Sequence, residues 1–210
     1  YDKGYRAWQM ARLSRYDRQY LFDLKPKEVD EAKKAVEKSP KDARAHVELA
    51  VALFRTRKGG DAKKELEAAF AIEPTNADAH YVAAQVAKAE KDLDTARRHL
   101  DTMRSTGHDG YAVQTMLADI AEEQKDDARM RFHLEAAYRL DPSQSEPLKG
   151  LFDLANQQKR EGDALAVLEK LAPLEQHDRK VWRMLLDKLV AAKRWDDARR
   201  VGESAIFVDI

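Results

Sequence analysis

Apolar residues between positions 43 and 76 recur at helical intervals and form two separate stripes. The first stripe has members three, four and seven residues after its first residue: His46, Leu49, Ala50 and Leu53. The second stripe consists of Ala62, Leu66, Ala69 and Phe70. This spacing places the members of a stripe on one face of a helix. Residues 58–61 interrupt the pattern and Pro74 ends it, so the segment predicts two antiparallel helices joined by a tight turn.

The same arrangement recurs every 34 residues along most of the chain. Prolines occur at this interval or at twice this interval: Pro40, Pro74 and Pro142. A mostly small position in the second stripe follows the same step: Ala62, Ala96, Met130, Ala164 and Ala198. Self-similarity at such a period is typical of repeat proteins, in which each helical hairpin buries its stripe against its neighbours. Small side chains at Ala50 and Ala62 predict that paired helices approach to about 8–10 Å.

With this period and these residues, the chain resembles the tetratricopeptide repeat family. Residues 43–76 match the family's pattern at Leu49, Ala50, Ala62, Leu66, Ala69 and Pro74. The resemblance implies an all-α, right-handed solenoid of antiparallel helical hairpins. It divides the chain into one partial repeat and five further repeats: 25–42, 43–76, 77–110, 111–144, 145–178 and 179–210. Because such arrays serve many purposes, the resemblance implies a fold rather than one activity.

Residues 1–24 do not continue the repeat pattern. Polar residues stand where a first helix should be apolar: Arg12, Arg15 and Gln19. The segment instead contains a group of aromatic residues: Tyr1, Tyr5, Trp8, Tyr16, Tyr20 and Phe22. We expect an aromatic N-terminal helix that either caps the first repeat or ends an upstream domain. A base-stacking strip is the third interpretation, which nearby acidic residues disfavour.

The first eight residues, Tyr1 to Trp8, resemble the closing helix of a gluzincin-type metallopeptidase domain. In bacteria that domain often precedes tetratricopeptide repeats. The resemblance implies an alternative function, in which the chain is a non-catalytic regulatory or substrate-presenting tail of a larger metallopeptidase. The family's zinc-binding His-Glu-x-x-His motif is absent from these 210 residues.

The other end of the chain departs from the pattern at Gly202, which stands where Leu66 and its equivalents pack. Glycine inside a helix lowers stability by about 1 kcal/mol relative to alanine. An apolar tail follows it: Ile206, Phe207, Val208 and Ile210. Because an uncapped repeat exposes an apolar face, we expect either a truncated array or self-association through this end.

Overall charge narrows the choice of partners. The chain has 38 Lys and Arg residues and 38 Asp and Glu residues, for a formal net charge of zero. Binding to nucleic acid or to a membrane surface generally needs a basic excess, so we expect neither. The sequence contains no run of 18 apolar residues, so it predicts no membrane-spanning helix. The absence of Cys excludes disulfides and leaves a cytoplasmic or a periplasmic location open.

The residues that could carry chemistry do not form a known catalytic pattern, so we expect no enzyme activity and no cofactor from this chain. His46 and His80 lie one period apart, as do His99 and His133, which indicates a repeated structural role. A metal site would need further ligands on the same face, and none is apparent. No phosphate-binding loop or nucleophile elbow is present.

The family resemblance implies a concave groove lined by the first helix of every repeat. The family's groove-facing places correspond to Arg44, Val47, Val51, Arg55, Tyr81, Gln85, Lys88, Thr115, Asp119, Glu122, Glu123, Lys149, Asp153, Asn156, Arg183 and Asp187. We therefore expect a protein-interaction scaffold that binds a peptide, a partner helix or its own upstream domain. Complementary charges would hold the partner, with Tyr81 as an anchor. Val47 and Val51 replace two residues of the family's carboxylate-binding pattern, which argues against binding of a chaperone tail.

Overall fold

The computed structural model describes residues 27–205, and this part of the chain contains eleven α-helices and no strand. The helices are α1 Val29–Lys38, α2 Ala43–Arg55, α3 Gly59–Ile72, α4 Ala77–Ala89, α5 Leu93–Ser105, α6 Tyr111–Glu123, α7 Asp127–Leu140, α8 Glu146–Gln157, α9 Glu161–Leu171, α10 Arg179–Ala191 and α11 Trp195–Ala205. The predicted all-α class is therefore confirmed for the described residues. The predicted aromatic helix at 1–24 and the apolar tail at 206–210 lie outside them.

The chain divides into two compact units, of which unit 1 ends at Ile120 and unit 2 begins at Ala121. In unit 1, α2 packs against α3, α4 packs against α5, and α2 also contacts α4. In unit 2, α8 packs against α9 and α10 packs against α11. A three-residue turn joins the two helices of each sequential pair (α2–α3, α4–α5, α8–α9 and α10–α11), so they run antiparallel as the two apolar stripes predict.

The core of unit 1 forms where small residues let helices approach. Ala50 and Ala62, which we expected at the α2–α3 contact, are both fully buried. Larger apolar side chains such as Leu66 and Val82 fill the remaining space. Burial of one such side chain contributes about 1.5–3 kcal/mol, so the stability of a hairpin depends on its neighbours.

Five of the turns between helices contain a basic residue whose backbone lies in the left-handed region. In each case this residue stands two positions after the last residue of the preceding helix. The five residues and their φ values are Arg57 (60°), Lys91 (66°), Lys125 (57°), Lys159 (55°) and Lys193 (58°). In the second of these turns the Lys91 N–H donates to Lys88 O at 3.0 Å, and the Asp92 N–H donates to Ala87 O at 2.9 Å. The other four turns have the same pair of bonds, which satisfies carbonyls that the helix end leaves without a partner.

Several helices begin at an acidic or amide side chain that accepts a backbone hydrogen bond. These N-caps are Asp42, Asn76, Asp92, Asp126 and Asp178. A cap of this kind stabilises a helix by about 1 kcal/mol. The predicted helix breaker Pro74 lies in the loop before α4, where its carbonyl accepts a bond from a histidine ring. At the last helix, a Cβ added to Gly202 would meet no atom within 4 Å, consistent with the expected loss of packing there.

Candidate functional site

Nine of the residues that the family resemblance places in a groove lie in unit 1, on α2, on α4 and on the part of α6 up to Ile120. Eight of them reach the surface. Arg44, Arg55 and Asp119 are exposed, and Val51, Tyr81, Gln85, Lys88 and Thr115 are half-buried. Side-chain contacts between α2, α4 and α6 show which of these eight residues lie close together.

Four predicted groove residues come together on α4 and α6, and we call them the Tyr81 cluster: Tyr81, Gln85, Lys88 and Asp119. Lys88 Nζ donates to Asp119 Oδ2 at 2.5 Å and so links the two helices. Burial raises the pKa of the Tyr81 hydroxyl, the nearby Asp119 carboxylate raises it further, and a hydrogen bond with Gln85 opposes the rise. The cluster therefore presents a neutral, partly desolvated phenol beside an ion pair.

A second group of charges lies beside the beginning of α2 and α4. Glu48 accepts from Lys27 Nζ at 2.5 Å and from Arg44 Nε at 3.3 Å. Burial raises the pKa of Asp78, whereas electrostatic interactions with Arg44 and His108 oppose the rise. Lys27, Glu48 and Asp78 were missed in the sequence-based list. Asp78 could have been found, because it lies one 34-residue period after Arg44.

Val47 is a correction to the predicted groove. Its side chain is fully buried and belongs to the hydrophobic core of unit 1. An apolar residue on a helix that is packed on several sides gains more from burial than from facing an open groove. Val51 also packs against this core but remains half-buried.

The other predicted groove residues belong to unit 2. Lys149 Nζ lies 2.5 Å from Glu175 Oε1, and this bond raises the pKa of Lys149. Asn156 is half-buried. The remaining members of the predicted set in unit 2 are exposed: Glu122, Glu123, Asp153, Arg183 and Asp187. Whether these residues bind a partner stays a prediction.

The histidines pair with residues of the second helix rather than with each other across repeats. His46 Nδ1 lies 2.7 Å from Glu65 Oε2, and its Nε2 lies 3.1 Å from Pro40 O. At the equivalent places one period later, His80 Nδ1 lies 2.9 Å from His99 Nδ1, and His80 Nε2 lies 3.0 Å from Pro74 O. These contacts agree with the repeated structural role that the sequence predicts for His46 and His80.

His80 and His99 form an aromatic cluster with Phe70, in which His80 is buried and the other two rings are half-buried. The rings of Phe70 and His99 are stacked with centroids 5.7 Å apart and planes 5° apart. Burial lowers the pKa of both histidines, and for His99 the neighbouring His80 and Arg98 lower it further. Within residues 27–205, no three His, Asp or Glu side chains form a group that could hold a metal ion.

No helix between residues 27 and 205 is long and apolar enough to cross a membrane. Residues 1–8 fall outside the described part of the chain, so their resemblance to a metallopeptidase domain stays a prediction.

Comparison with known proteins finds a family model that matches part of the chain. Residues 57–120 match the family model of the tetratricopeptide repeat. No curated protein matches the sequence.

Solved structures of similar fold cover most of the chain. YrrB, described as a TPR protein with an unusual peptide-binding site, aligns with a TM-score of 0.64 and 15% identity over 86% of this chain and 93% of its own. PilF of Pseudomonas aeruginosa aligns with a TM-score of 0.64 and 20% identity over 81% and 78% of the two chains. MamA of Desulfovibrio magneticus RS-1 aligns with a TM-score of 0.59 and 15% identity over 79% and 92%.

These matches confirm the predicted solenoid of antiparallel helical hairpins of the tetratricopeptide type. At identities of 20% or below, the structural likeness concerns the fold alone.

Proposed function

We propose that this chain is a protein-interaction module that binds a polypeptide segment across α4 and α6 of unit 1, with the Tyr81 cluster as its centre. The half-buried Tyr81 ring is the observation on which the proposal rests. Tyrosine is prominent among interface residues that dominate binding energy, because its ring buries a large area and its hydroxyl hydrogen-bonds. A partner that covers the ring completes a desolvation that the fold has already begun.

Charges around Tyr81 support a polypeptide as the ligand. Lys88 and Asp119 offer both signs beside the ring, and Arg44 and Asp78 offer both signs on the neighbouring helix ends. Such mixed charge suits a segment with alternating donors and acceptors better than it suits a polyanion. The peptide-binding site named for YrrB is a precedent for this ligand class on the same fold.

A photo-crosslinking experiment tests the location of binding. Peptides are first selected from a random displayed library on the full chain, and the tightest one is synthesised. Benzoylphenylalanine is then placed at Gln85, within the cluster, or at Ala71, an exposed position on α3 of the same unit. We expect the peptide to crosslink at position 85 and not at position 71.

Two results of this experiment would contradict the proposal. One is a selection that enriches no peptide above an unrelated control protein. The other is crosslinking at position 71 equal to that at position 85, because binding would then not involve the Tyr81 cluster.

A further inference from the structure

A cavity of about 360 Å³ opens in unit 2 between α7, α8 and α9. Its apolar wall includes Leu148, Leu151 and Val167, and Tyr138 of α7 also lines it. We call it the Tyr138 pocket. Its volume lies at the lower end of the range for small-molecule sites, which are mostly apolar with a few converging polar groups.

Cations outnumber carboxylates at the rim of the Tyr138 pocket. Arg131, Arg139 and Lys170 line it, together with the carboxylates of Asp163 and Glu135. Asp163 is already engaged, because its Oδ2 lies 3.2 Å from Arg131 Nη2 and 3.2 Å from Arg160 Nη1. The exposed side chains of Arg139 and Lys170 have no ion-pair partner among the described residues. Because Glu135 is the remaining carboxylate of the lining, the pocket carries one net positive charge.

One donor beside the pocket also lacks an acceptor. The Nε of Arg131 is buried and makes no hydrogen bond. Buried polar groups almost always have a partner, and an unpaired one calls for a specific explanation. An anion in the pocket would supply an acceptor for this donor. Lys170 Nζ lies 5.8 Å from the centre of the Tyr138 ring, which also lines the pocket.

The corresponding places in the hairpins of unit 1 have a different chemistry. At the equivalent positions two periods earlier, Arg131 is replaced by Lys63, Tyr138 by Phe70, Arg139 by Ala71 and Lys170 by Thr102. The hydroxyl and two of the three cations are therefore particular to the Tyr138 pocket. A general feature of stacked hairpins does not account for them.

We propose that the Tyr138 pocket binds a small organic anion, with an apolar body against Leu148, Leu151 and Val167 and a carboxylate or phosphate group against Arg131, Arg139 and Lys170. This site lies in unit 2 and does not depend on the Tyr81 cluster. The same chemistry is offered by a free metabolite and by the terminal carboxylate of a polypeptide.

Titration of the ¹⁵N-labelled full chain, followed by NMR, tests the site. The probes are benzoate and phenyl phosphate as free anions, N-acetylphenylalanine as a mimic of a chain terminus, and benzamide as the uncharged counterpart of benzoate. We expect the anions to shift the amide signals of Tyr138, Leu151 and Val167, with affinity at least about tenfold higher than that of benzamide. Tighter binding of N-acetylphenylalanine than of the free anions identifies a chain terminus as the source, and the reverse order identifies a metabolite.

Variants taken from the chain's own repeats separate the pocket from nonspecific binding. The double change Arg139→Ala with Lys170→Thr should weaken benzoate binding at least about tenfold, because it turns the net charge of the lining from positive to negative. Tyr138→Phe should weaken it less. Arg129→Ala is the matched control, since Arg129 is an exposed arginine of α7 that pairs with Asp126 outside the pocket. Equal affinity for benzoate and benzamide, shifts confined to other residues, or a double variant with unchanged affinity would each overturn the proposal.

Discussion

Five lysine or arginine residues have the left-handed backbone conformation that usually favours glycine. Non-glycine residues in this region are strained by roughly 1–2 kcal/mol. The basic side chain offsets part of this strain, because it stands at the negative end of the helix dipole. Recurrence of these residues every 34 positions is visible in the sequence, but their φ angles are not, because no glycine or asparagine signals them.

Replacement of Lys159 by glycine should stabilise the protein. Its φ of 55° suits glycine, and its side chain is exposed. We expect Lys159→Gly to raise the melting temperature by about 2–4 °C, the equivalent of ~1 kcal/mol in a chain of this size. Differential scanning calorimetry measures the shift.

Two further variants at the same position isolate the backbone effect. Lys159→Ala removes the charge and keeps the strain, so it should not stabilise the protein. Lys159→Val adds a branched side chain and should lower the melting temperature. If glycine and alanine give the same shift, the backbone explanation is wrong.

At the scale of helices, the same two positions of the repeat form a different contact in two successive repeats. His46 meets Glu65 between α2 and α3, whereas His80 meets His99 between α4 and α5. The sequence predicts a structural role for these histidines, because they recur at the repeat period. It does not predict which residues meet, because the partner lies 19 positions away on the second helix.

The His80–His99 contact should make stability sensitive to acid. Burial lowers the pKa of both rings in the folded protein from the ordinary value of 6.5. The unfolded chain therefore binds more protons than the folded chain once the pH falls below about 6.5. Stability from this pair is fully present above that pH and is lost as the pH falls toward the lowered pKa values. We therefore expect the melting temperature to be lower at pH 5.5 than at pH 7.5.

The matched variant is His99→Glu, which reproduces the His46–Glu65 contact at the same place in the next repeat. A carboxylate beside His80 favours the protonated ring, so the variant should lose less stability than the wild type over the same pH range. Melting temperatures of both proteins at the two pH values provide the comparison. An equal decrease in both would show that the histidine pair does not cause the acid sensitivity.

At the scale of the whole molecule, periodicity is what made the fold predictable. The 34-residue step in apolar and small residues indicates stacked hairpins, and the helices from α2 to α11 follow it. The candidate site was predictable only in part. Lys88 and Asp119 could be named from their places in a repeat, but their contact joins residues 31 positions apart. Val47 was misplaced, because a family pattern does not reveal whether an apolar side chain turns into the core.

Division into two units was not evident from the sequence. The repeat pattern passes through residues 120 and 121 without a break, whereas the compact units separate there, within α6. Packing between helices sets such a boundary, whereas local propensity does not. The boundary therefore cannot be predicted from a single sequence.

The affinity of a library-selected peptide for the Tyr81→Ala variant is the most direct test of the proposed interaction. Isothermal titration calorimetry compares it with the wild type and with Phe132→Ala, which removes an exposed aromatic ring from unit 2. We predict that Tyr81→Ala weakens binding by about thirtyfold, the equivalent of ~2 kcal/mol at a central anchor, while Phe132→Ala leaves affinity unchanged. Unchanged affinity of the Tyr81→Ala variant, with its fold intact by circular dichroism, would contradict the proposed interaction.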